Sequence, residues 1–128
     1  MPDSLEANKR VVREFYDLAF NQQQPAEAAA KYLGPGYRQH NPAAADGAQP
    51  FVSFVTGFVQ AFPKLRVGFK RIVAEGDLVS LHSHFVREPG DRGLAVMDIF
   101  RLEAGKLVEH WDVLQEVPAT AANPNTMF

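Results

Sequence analysis

The sequence predicts an α+β domain in which three helices precede an antiparallel sheet. Apolar residues repeat with the helical period of 3.6 up to Pro63 and with a period of two after it. Turn residues then divide the second half into four segments of strand length. Because 128 residues are enough for one core but too few for two, we expect a single domain spanning residues 1–128.

The first helix is predicted to begin at Asp3, because Glu6 follows it at the spacing of a capping box. An apolar stripe then continues to about Asn21, and it consists of Val12, Phe15, Leu18 and Ala19.

The second helix is predicted over residues 25–33, where Pro25 starts it and Gly34 ends it. The third is predicted to be capped by Asp46 and ended by Pro63. Its apolar positions follow helical spacing and are Phe51, Phe54, Val55, Phe58 and Phe62. We expect this aromatic helix to cover one face of the sheet.

Four strands are predicted, over residues 65–74, 78–87, 94–103 and 106–115. Residues 37–41 are predicted to be extended because Pro42 disfavours helical geometry in the residue before it. The tail, residues 118–128, has no regular period. Its apolar end, Met127 and Phe128, is expected to dock on a neighbouring surface or a partner subunit.

Composition and charge exclude several classes of function. The net charge of -2 and the scattered basic residues offer no attraction for nucleic acid or for an anionic membrane. The absence of cysteine excludes disulfides, thiolate catalysis and cysteine zinc sites. No apolar run approaches the roughly 18 residues of a membrane span, and the N-terminus is too polar for a signal peptide. We therefore expect a cytoplasmic protein.

Residues 97–112, MDIFRLEAGKLVEHWD, form the most informative segment of the chain. Asp98 falls in the apolar phase of its predicted strand, where a leucine would be expected. His110 and Asp112 follow on the next strand. The segment is predicted to be a hairpin that brings these polar side chains to one face.

The length of the turn decides which residues are paired. A three-residue loop over 103–105 needs a positive φ only at its glycine, and it pairs Asp98 with His110. A two-residue loop also needs a positive φ at Ala104, and it would put Trp111 opposite Asp98. Turn chemistry favours the three-residue loop. In that register Asp112 is a diagonal neighbour of Asp98, at roughly 7 to 8 Å.

Two interpretations of this hairpin remain open. Asp98 and His110 could form a satisfied buried pair that only fixes the hairpin. Alternatively, Asp98, His110 and Asp112 lie in a pocket where one group removes a proton from a carbon acid and another stabilises the oxyanion.

His82 and His84 lie two residues apart, so they project from the same face of their strand. A metal site would need a third ligand such as Asp98 or Asp112, and without one we expect no metal. The two histidines are interpreted as polar lining of the cavity, or as solvated groups if they lie on the outer face.

The polar segment before the third helix, residues 37–42, is predicted to line the entrance of the cavity. Its phenol, amide and imidazole groups belong to Tyr37, Gln39, His40 and Asn41. Phe54, Phe58 and Trp111 are interpreted as cavity wall or core. The chain has neither a glycine-rich phosphate loop nor a GxSxG element, which argues against nucleotide binding and serine hydrolysis.

Four runs together resemble a known family. They are Tyr37-x-Gln39-His40-Asn41-Pro42, residues 74–79 AEGDLV, residues 98–101 DIFR and residues 109–113 EHWDV. In this order they are similar to the SnoaL-like polyketide cyclase family of the NTF2-like superfamily, over nearly the whole chain. The resemblance implies an NTF2-like cone with three helices in the concave side of a curved sheet, and a homodimer through the back of that sheet.

The resemblance also implies roles for individual residues. Asp112 matches the general acid/base of cofactor-free intramolecular aldol ring closure, with Asp98, His110 and His40 as polarising or orienting groups. The chain also resembles ketosteroid isomerase, in which a protonated aspartate in a similar context to Asp98 donates a hydrogen bond to the enolate. The base of that isomerase would fall near Asn41, and an amide cannot accept the proton.

We therefore expect a cofactor-free lyase or isomerase that acts on a small apolar or aromatic carbonyl compound. The alternative is a non-catalytic binding or dimeric interaction module, whose affinity would depend on Phe54, Phe58 and Trp111. A third possibility is epoxide opening by a water molecule activated by a carboxylate pair and an amide.

Overall fold

A computed structural model describes residues 4–128 and confirms the predicted α+β fold. The helices are α1 (Leu5–Tyr16), α2 (Pro25–Tyr32) and α3 (Ala48–Ala61). The strands are β1 (Leu33–Gln39), β2 (Arg66–Glu75), β3 (Leu78–Val86), β4 (Leu94–Glu103) and β5 (Lys106–Glu116). The sheet order is β1-β5-β4-β3-β2, in which β1 is parallel to β5 and the other pairs are antiparallel.

Ser4 is the N-cap of helix α1, and its hydroxyl oxygen accepts a hydrogen bond from the backbone N–H of Ala7 at 3.0 Å. The predicted cap at Asp3 lies outside the described residues. A π-helical turn, Asp17–Asn21, extends the helix to the predicted end. The buried stripe of α1 faces β2 and β3, so this helix packs against the concave side of the sheet.

Helix α3 lies over the same face of the sheet as α1 but contacts it through long aromatic side chains. It packs mainly against α2 and stacks Phe51 on Phe15 of α1 with ring centroids 4.9 Å apart, and it reaches the sheet through side chains such as Phe58, whose ring lies edge-on to Phe85 of β3. Gly47, and not Asp46, is its N-cap. The Asp46 carboxylate instead accepts the backbone N–H of Gln39 at 2.7 Å, which ties the loop before α3 to β1.

The hairpin between β4 and β5 has a two-residue turn, so the predicted three-residue loop is wrong. Ala104 and Gly105 have φ values of 50° and 76°, the positive signs that a type I′ turn requires at both central positions. This turn matches the right-handed twist of the flanking strands, and that gain outweighs the strain of a left-handed alanine.

A β-bulge then changes the register again. Leu102 pairs with Leu107, but Arg101 pairs with Glu109, so Val108 has no partner on β4. As a result Asp98 pairs with Asp112, and neither predicted partner of Asp98 is correct at that position. Because Val108 is inserted, the alternation of side chains shifts by one residue, and Leu107, His110 and Asp112 all point to the concave face.

The parallel strand β1 extends the sheet beyond the predicted meander. Its last residues pair with β5, with Gln39 opposite His110, and the backbone N–H of His40 donates to the carbonyl of His110. The polar segment is therefore attached directly beside the hairpin. Within residues 4–128, no helix has the length and apolar character needed to cross a membrane.

Candidate active site

A cavity of about 60 Å³ opens between the helices and the concave face of the sheet. This volume is smaller than the roughly 300–1,000 Å³ of most small-molecule sites, so a ligand with an aromatic ring requires the side chains of the cavity wall to move. Most of its wall is apolar or aromatic, formed by Phe20, Ala44, Phe51, Phe54, Phe58, Phe85, Leu94, Val96 and Leu114. The polar residues that line it are Tyr16, Tyr37, Gln39, Asn41, His110 and Asp112.

The structure brings together the three polar residues of the hairpin. Nε2 of His110 lies 2.7 Å from Oδ1 of Asp98 and 3.9 Å from Oδ2 of Asp112. All three side chains are at least nine-tenths buried. The predicted convergence thus occurs through a different register, because the bulge places all three on the same face.

Tyr16 also belongs to this cluster, although the sequence pattern does not predict it there. Its hydroxyl donates to Oδ1 of Asp98 at 2.6 Å and lies 3.3 Å from Nε2 of His110. The available signal was its position four residues after Val12, which puts the phenol on the buried stripe of α1.

Asn41 binds one oxygen of Asp112 and leaves the other free. Oδ1 of Asn41 accepts the backbone N–H of Ala43 at 2.8 Å, which orients the amide. Its Nδ2 therefore faces Asp112 and donates to Oδ2 at 3.1 Å. Oδ1 of Asp112 is buried without a hydrogen-bond partner in the described residues, so it remains available to a ligand.

Gln39 connects β1 to the cluster. Its Oε1 lies 2.7 Å from Nδ1 of His110, and its Nε2 donates to the hydroxyl of Tyr37 at 3.4 Å. Gln39, Tyr37 and Asn41 thus lie at the cavity, as the sequence analysis expected of the polar segment.

Burial controls the ionisation of the cluster. Desolvation raises the pKa of Asp98 above its ordinary value of 3.8, and the hydrogen bonds from His110 and Tyr16 oppose that rise. Desolvation also raises the pKa of Tyr16 well above 10, and the neighbouring Asp98 carboxyl raises it further. Burial likewise raises the pKa of Tyr37. Both phenols therefore remain protonated; the Tyr16 hydroxyl donates to Asp98, and the Tyr37 hydroxyl accepts from Gln39.

His40 and Trp111 do not reach the cavity. Their rings stack at 4.8 Å with an interplanar angle of 5°, and Nε2 of His40 lies 2.7 Å from Oε2 of Glu109. Glu109 and Trp111 alternate with His110 and Asp112 along β5, so they project from the opposite face. The predicted catalytic position of His40 and the predicted cavity position of Trp111 are therefore wrong.

His82 and His84 also lie on the outer face of the sheet. They alternate with the buried residues of β3, so their predicted role in lining the cavity is wrong. The ring of Phe128 stacks on His84 at 4.0 Å and on His82 at 5.6 Å. The apolar end of the tail thus docks on the back of its own sheet.

A cation, if one bound, would have one candidate site among the described residues. Asp98, His110 and Asp112 offer ligand atoms that all lie within 4.8 Å of one another. The absence of a cofactor stays a prediction from the sequence.

The comparisons with known proteins agree with this architecture. The family model for the SnoaL-like domain matches residues 12–110. Among curated proteins, no match to this sequence was found. Three solved structures illustrate the similarity in fold.

The chain is 23% identical to TsrD from Streptomyces laurentii, covering 88% of this chain and 91% of that one with a TM-score of 0.73. It is 19% identical to a protein named as a SnoaL-like polyketide cyclase from Jannaschia sp. CCS1, covering 89% and 90% with a TM-score of 0.72. It is also 19% identical to a protein named as a ketosteroid isomerase from Kribbella flavida DSM 17836, covering 93% and 85% with a TM-score of 0.71.

At these identities the solved structures establish the fold alone, whereas the family model spans most of the chain. The chain therefore belongs to the SnoaL-like domain family.

Proposed function

We propose that this protein is a cofactor-free lyase or isomerase that carries out acid/base chemistry on a small carbonyl compound. The observation that carries the proposal is the free Oδ1 of Asp112. This oxygen is buried at the polar end of an aromatic cavity, while Asn41 holds the other oxygen of the same carboxylate. A fixed carboxylate with one unpaired oxygen is suited to accept a proton from carbon.

The walls of the cavity favour a neutral, apolar or aromatic ligand. Rings from α1, α3 and the sheet supply most of the surface, and no lysine or arginine is among the described residues that line it. A carboxylate or phosphate on the ligand would therefore find no cation and would meet Asp112. An aromatic ketone or 1,3-dicarbonyl compound matches both features.

The proposed reaction begins when Oδ1 of Asp112 accepts an acidic α-proton from the ligand. The electron pair of the broken C–H bond forms an enolate, whose oxygen receives a hydrogen bond from a neutral donor at the cavity such as Tyr16 or Tyr37. The enolate carbon then either attacks a second carbonyl within the ligand or is protonated at a different position. The Asp112 carboxylic acid returns its proton in that step, so protons balance without a cofactor.

Proton exchange on simple carbonyl compounds tests this proposal. A panel of aromatic ketones and 1,3-dicarbonyl compounds would be incubated with the protein in D2O and followed by NMR. We expect the wild-type protein to accelerate α-deuteration of at least one compound, and Asp112→Asn to lower that rate by about 100-fold or more. The control is Asp77→Asn, the same change at an exposed turn residue, and it should retain the wild-type rate. Undiminished exchange by Asp112→Asn would refute the role of Asp112.

A non-catalytic binding pocket is the second candidate, and the apolar majority of the wall favours it. In this case an aromatic ketone would bind equally well to the wild type and to Asp112→Asn, with no exchange. Phe58→Ala would then weaken binding, because Phe58 lines the cavity and packs edge-on to Phe85 at 6.5 Å. Calorimetric titration together with the exchange assay separates the two candidates.

We also propose that the protein is a homodimer through the outer face of the sheet. Four apolar side chains on this face are 40–70% exposed, namely Val73, Met97, Ile99 and Val113. Sedimentation velocity should show a dimer for the wild type and a monomer for Val113→Lys. The control Leu5→Lys, which changes an exposed leucine on α1, should remain dimeric. A monomeric wild type would refute the proposal.

A further inference from the structure

A hydrogen-bonded chain runs from β1 through the hairpin to α1, with His110 at its centre. Nδ1 of His110 lies 2.7 Å from Oε1 of Gln39, and Nε2 lies 2.7 Å from Oδ1 of Asp98. The hydroxyl of Tyr16 completes the chain at 2.6 Å from the same Asp98 oxygen. Both ring nitrogens of His110 therefore face an oxygen atom.

The oxygen on the Gln39 side can only accept a hydrogen bond. The backbone N–H of Asn41 donates to this atom at 3.0 Å, which identifies it as the carbonyl oxygen of the Gln39 amide. The amide nitrogen of Gln39 is directed to the hydroxyl of Tyr37. Nδ1 of His110 must therefore carry a hydrogen, because an unprotonated Nδ1 would face an acceptor.

The Asp98 side of the ring needs a second hydrogen. With its proton on Nδ1, a neutral His110 presents a lone pair at Nε2 to the carboxyl oxygen of Asp98. If Asp98 were also ionised, two acceptors would be in contact at 2.7 Å in a buried site. The hydroxyl of Tyr16 does not relieve this contact, because it donates to Asp98.

We propose that Gln39 is a positioning residue that fixes the His110 proton on Nδ1, so that Asp98 and His110 hold one further proton between them at neutral pH. The pair is then neutral overall, whether that proton resides on the carboxyl oxygen or on Nε2. Asp112, whose Oδ2 lies 3.9 Å from Nε2 of His110, takes no part in this shared hydrogen bond.

The shared proton has a route to the cavity. The hydroxyl of Tyr16 lies within hydrogen-bond distance of both Asp98 and His110, and Tyr16 lines the cavity. Tyr16 can donate its proton to a ligand oxygen while it receives the proton that the pair holds. Proton transfer from Tyr16 to a ligand rests on the proposed function, whereas the tautomer of His110 is a property of the folded protein alone.

The tautomer can be measured by NMR on the full-length chain labelled with ¹⁵N. The chain has four histidines, so the His110 signals can be assigned by their loss in His110→Gln. We expect wild-type His110 to show a protonated Nδ1 at neutral pH and a slowly exchanging, strongly hydrogen-bonded proton between Nε2 and the Asp98 carboxyl group.

Two substitutions at Gln39 separate positioning from a merely structural role. Gln39→Leu removes the acceptor, so we expect Nδ1 to lose its proton and His110 to become the neutral Nε2–H tautomer that donates to an ionised Asp98. Gln39→Glu keeps an acceptor and should retain the proton on Nδ1. Gln49→Leu, the same change at an exposed position of α3, should give the wild-type spectrum.

Three results would overturn the proposal. One is a wild-type His110 that carries its only proton on Nε2. The second is an unchanged tautomer in a folded Gln39→Leu protein, and the third is loss of the Nδ1 proton in Gln39→Glu. The α-deuteration assay tests the proposed reaction and not the tautomer of His110. Failure of α-deuteration alone would count against the proposed reaction and would leave the His110 tautomer as measured.

Discussion

Asp98 is completely buried, and its environment accounts for much of the chemistry of the site. Tyr16 and His110 both bind its Oδ1, while its Oδ2 has no partner among the described residues. A buried carboxyl of this kind is destabilising when ionised and is tolerated because its neighbours donate to it or share its proton.

Replacing Asp98 should therefore affect stability according to what the new side chain can donate. Asp98→Ala removes the buried oxygen that both the Tyr16 hydroxyl and Nε2 of His110 contact and leaves a cavity beside them, and we expect a loss of about 3 kcal/mol in the free energy of unfolding. Asp98→Asn should lose less, because its NH2 group can reach both atoms. Urea unfolding of the two variants measures the difference. Equal losses would show that these hydrogen bonds do not determine the stability of the site.

The same carboxyl gives a pH dependence of defined sign. Because burial raises the pKa of Asp98, the folded state holds this proton to a higher pH than the unfolded chain, in which the pKa is near 3.8. Its contribution to stability is complete below that value and is lost as the pH rises through the folded pKa. Asp98→Asn should remove this loss, so its free energy of unfolding should fall less steeply above pH 4 than that of the wild type.

Sequence reasoning found the acidic pair and His110 because a polar residue in an apolar strand phase is a strong local signal. Tyr16 carried a weaker signal, since a tyrosine on a buried helical stripe is usually part of the core. The polar segment and the family resemblance predict His40 at the cavity, and residue type predicts Trp111, His82 and His84 there. Their true face depends on strand alternation and register, which residue type does not determine.

The β4–β5 hairpin shows how turn and bulge together set the site. Residue preferences at the turn favoured a loop with one left-handed position, but the structure adopts two and then inserts Val108. The helices and strand limits followed from local periodicity. The register did not, because it depends on strand twist and on the parallel strand β1 beside β5.

The strain at this turn can be tested directly. Ala104 has φ of 50°, a conformation that asparagine tolerates better than alanine. We expect Ala104→Asn to raise the free energy of unfolding by about 0.5–1 kcal/mol in urea, without changing the exchange rate. The control is Ala26→Asn, the same substitution at an exposed helical position of α2. A decrease in stability for Ala104→Asn would contradict the type I′ assignment.

The stability of the complete fold in acid should depend on an ion-pair cluster at the other end of the sheet. Arg87 binds Asp91 at 2.9 Å and Glu116 at 2.7 Å, which joins the β3–β4 loop to the end of β5. These hydrogen bonds lower the pKa of Asp91 below 3.8 and the pKa of Glu116 below 4.5.

Depressed pKa values stabilise the fold above the ordinary values and lose their effect as the pH falls through the folded ones. We therefore expect the wild-type free energy of unfolding to decrease from pH 5 to pH 2, and Asp91→Asn to show a smaller decrease. Asp77→Asn should follow the wild type. An Asp91→Asn protein with the wild-type acid dependence would exclude this cluster as the cause.

Chemical rescue of Asp112→Ala is the most direct test of the claim that the free oxygen of Asp112 is the catalytic base. This substitution removes the carboxylate and leaves space beside Asn41 and His110 for a small anion. In the α-deuteration assay, we predict that Asp112→Ala is inactive alone and that its exchange rate rises with added formate, while the wild-type rate does not. Exchange by Asp112→Ala at the wild-type rate without formate would contradict the account.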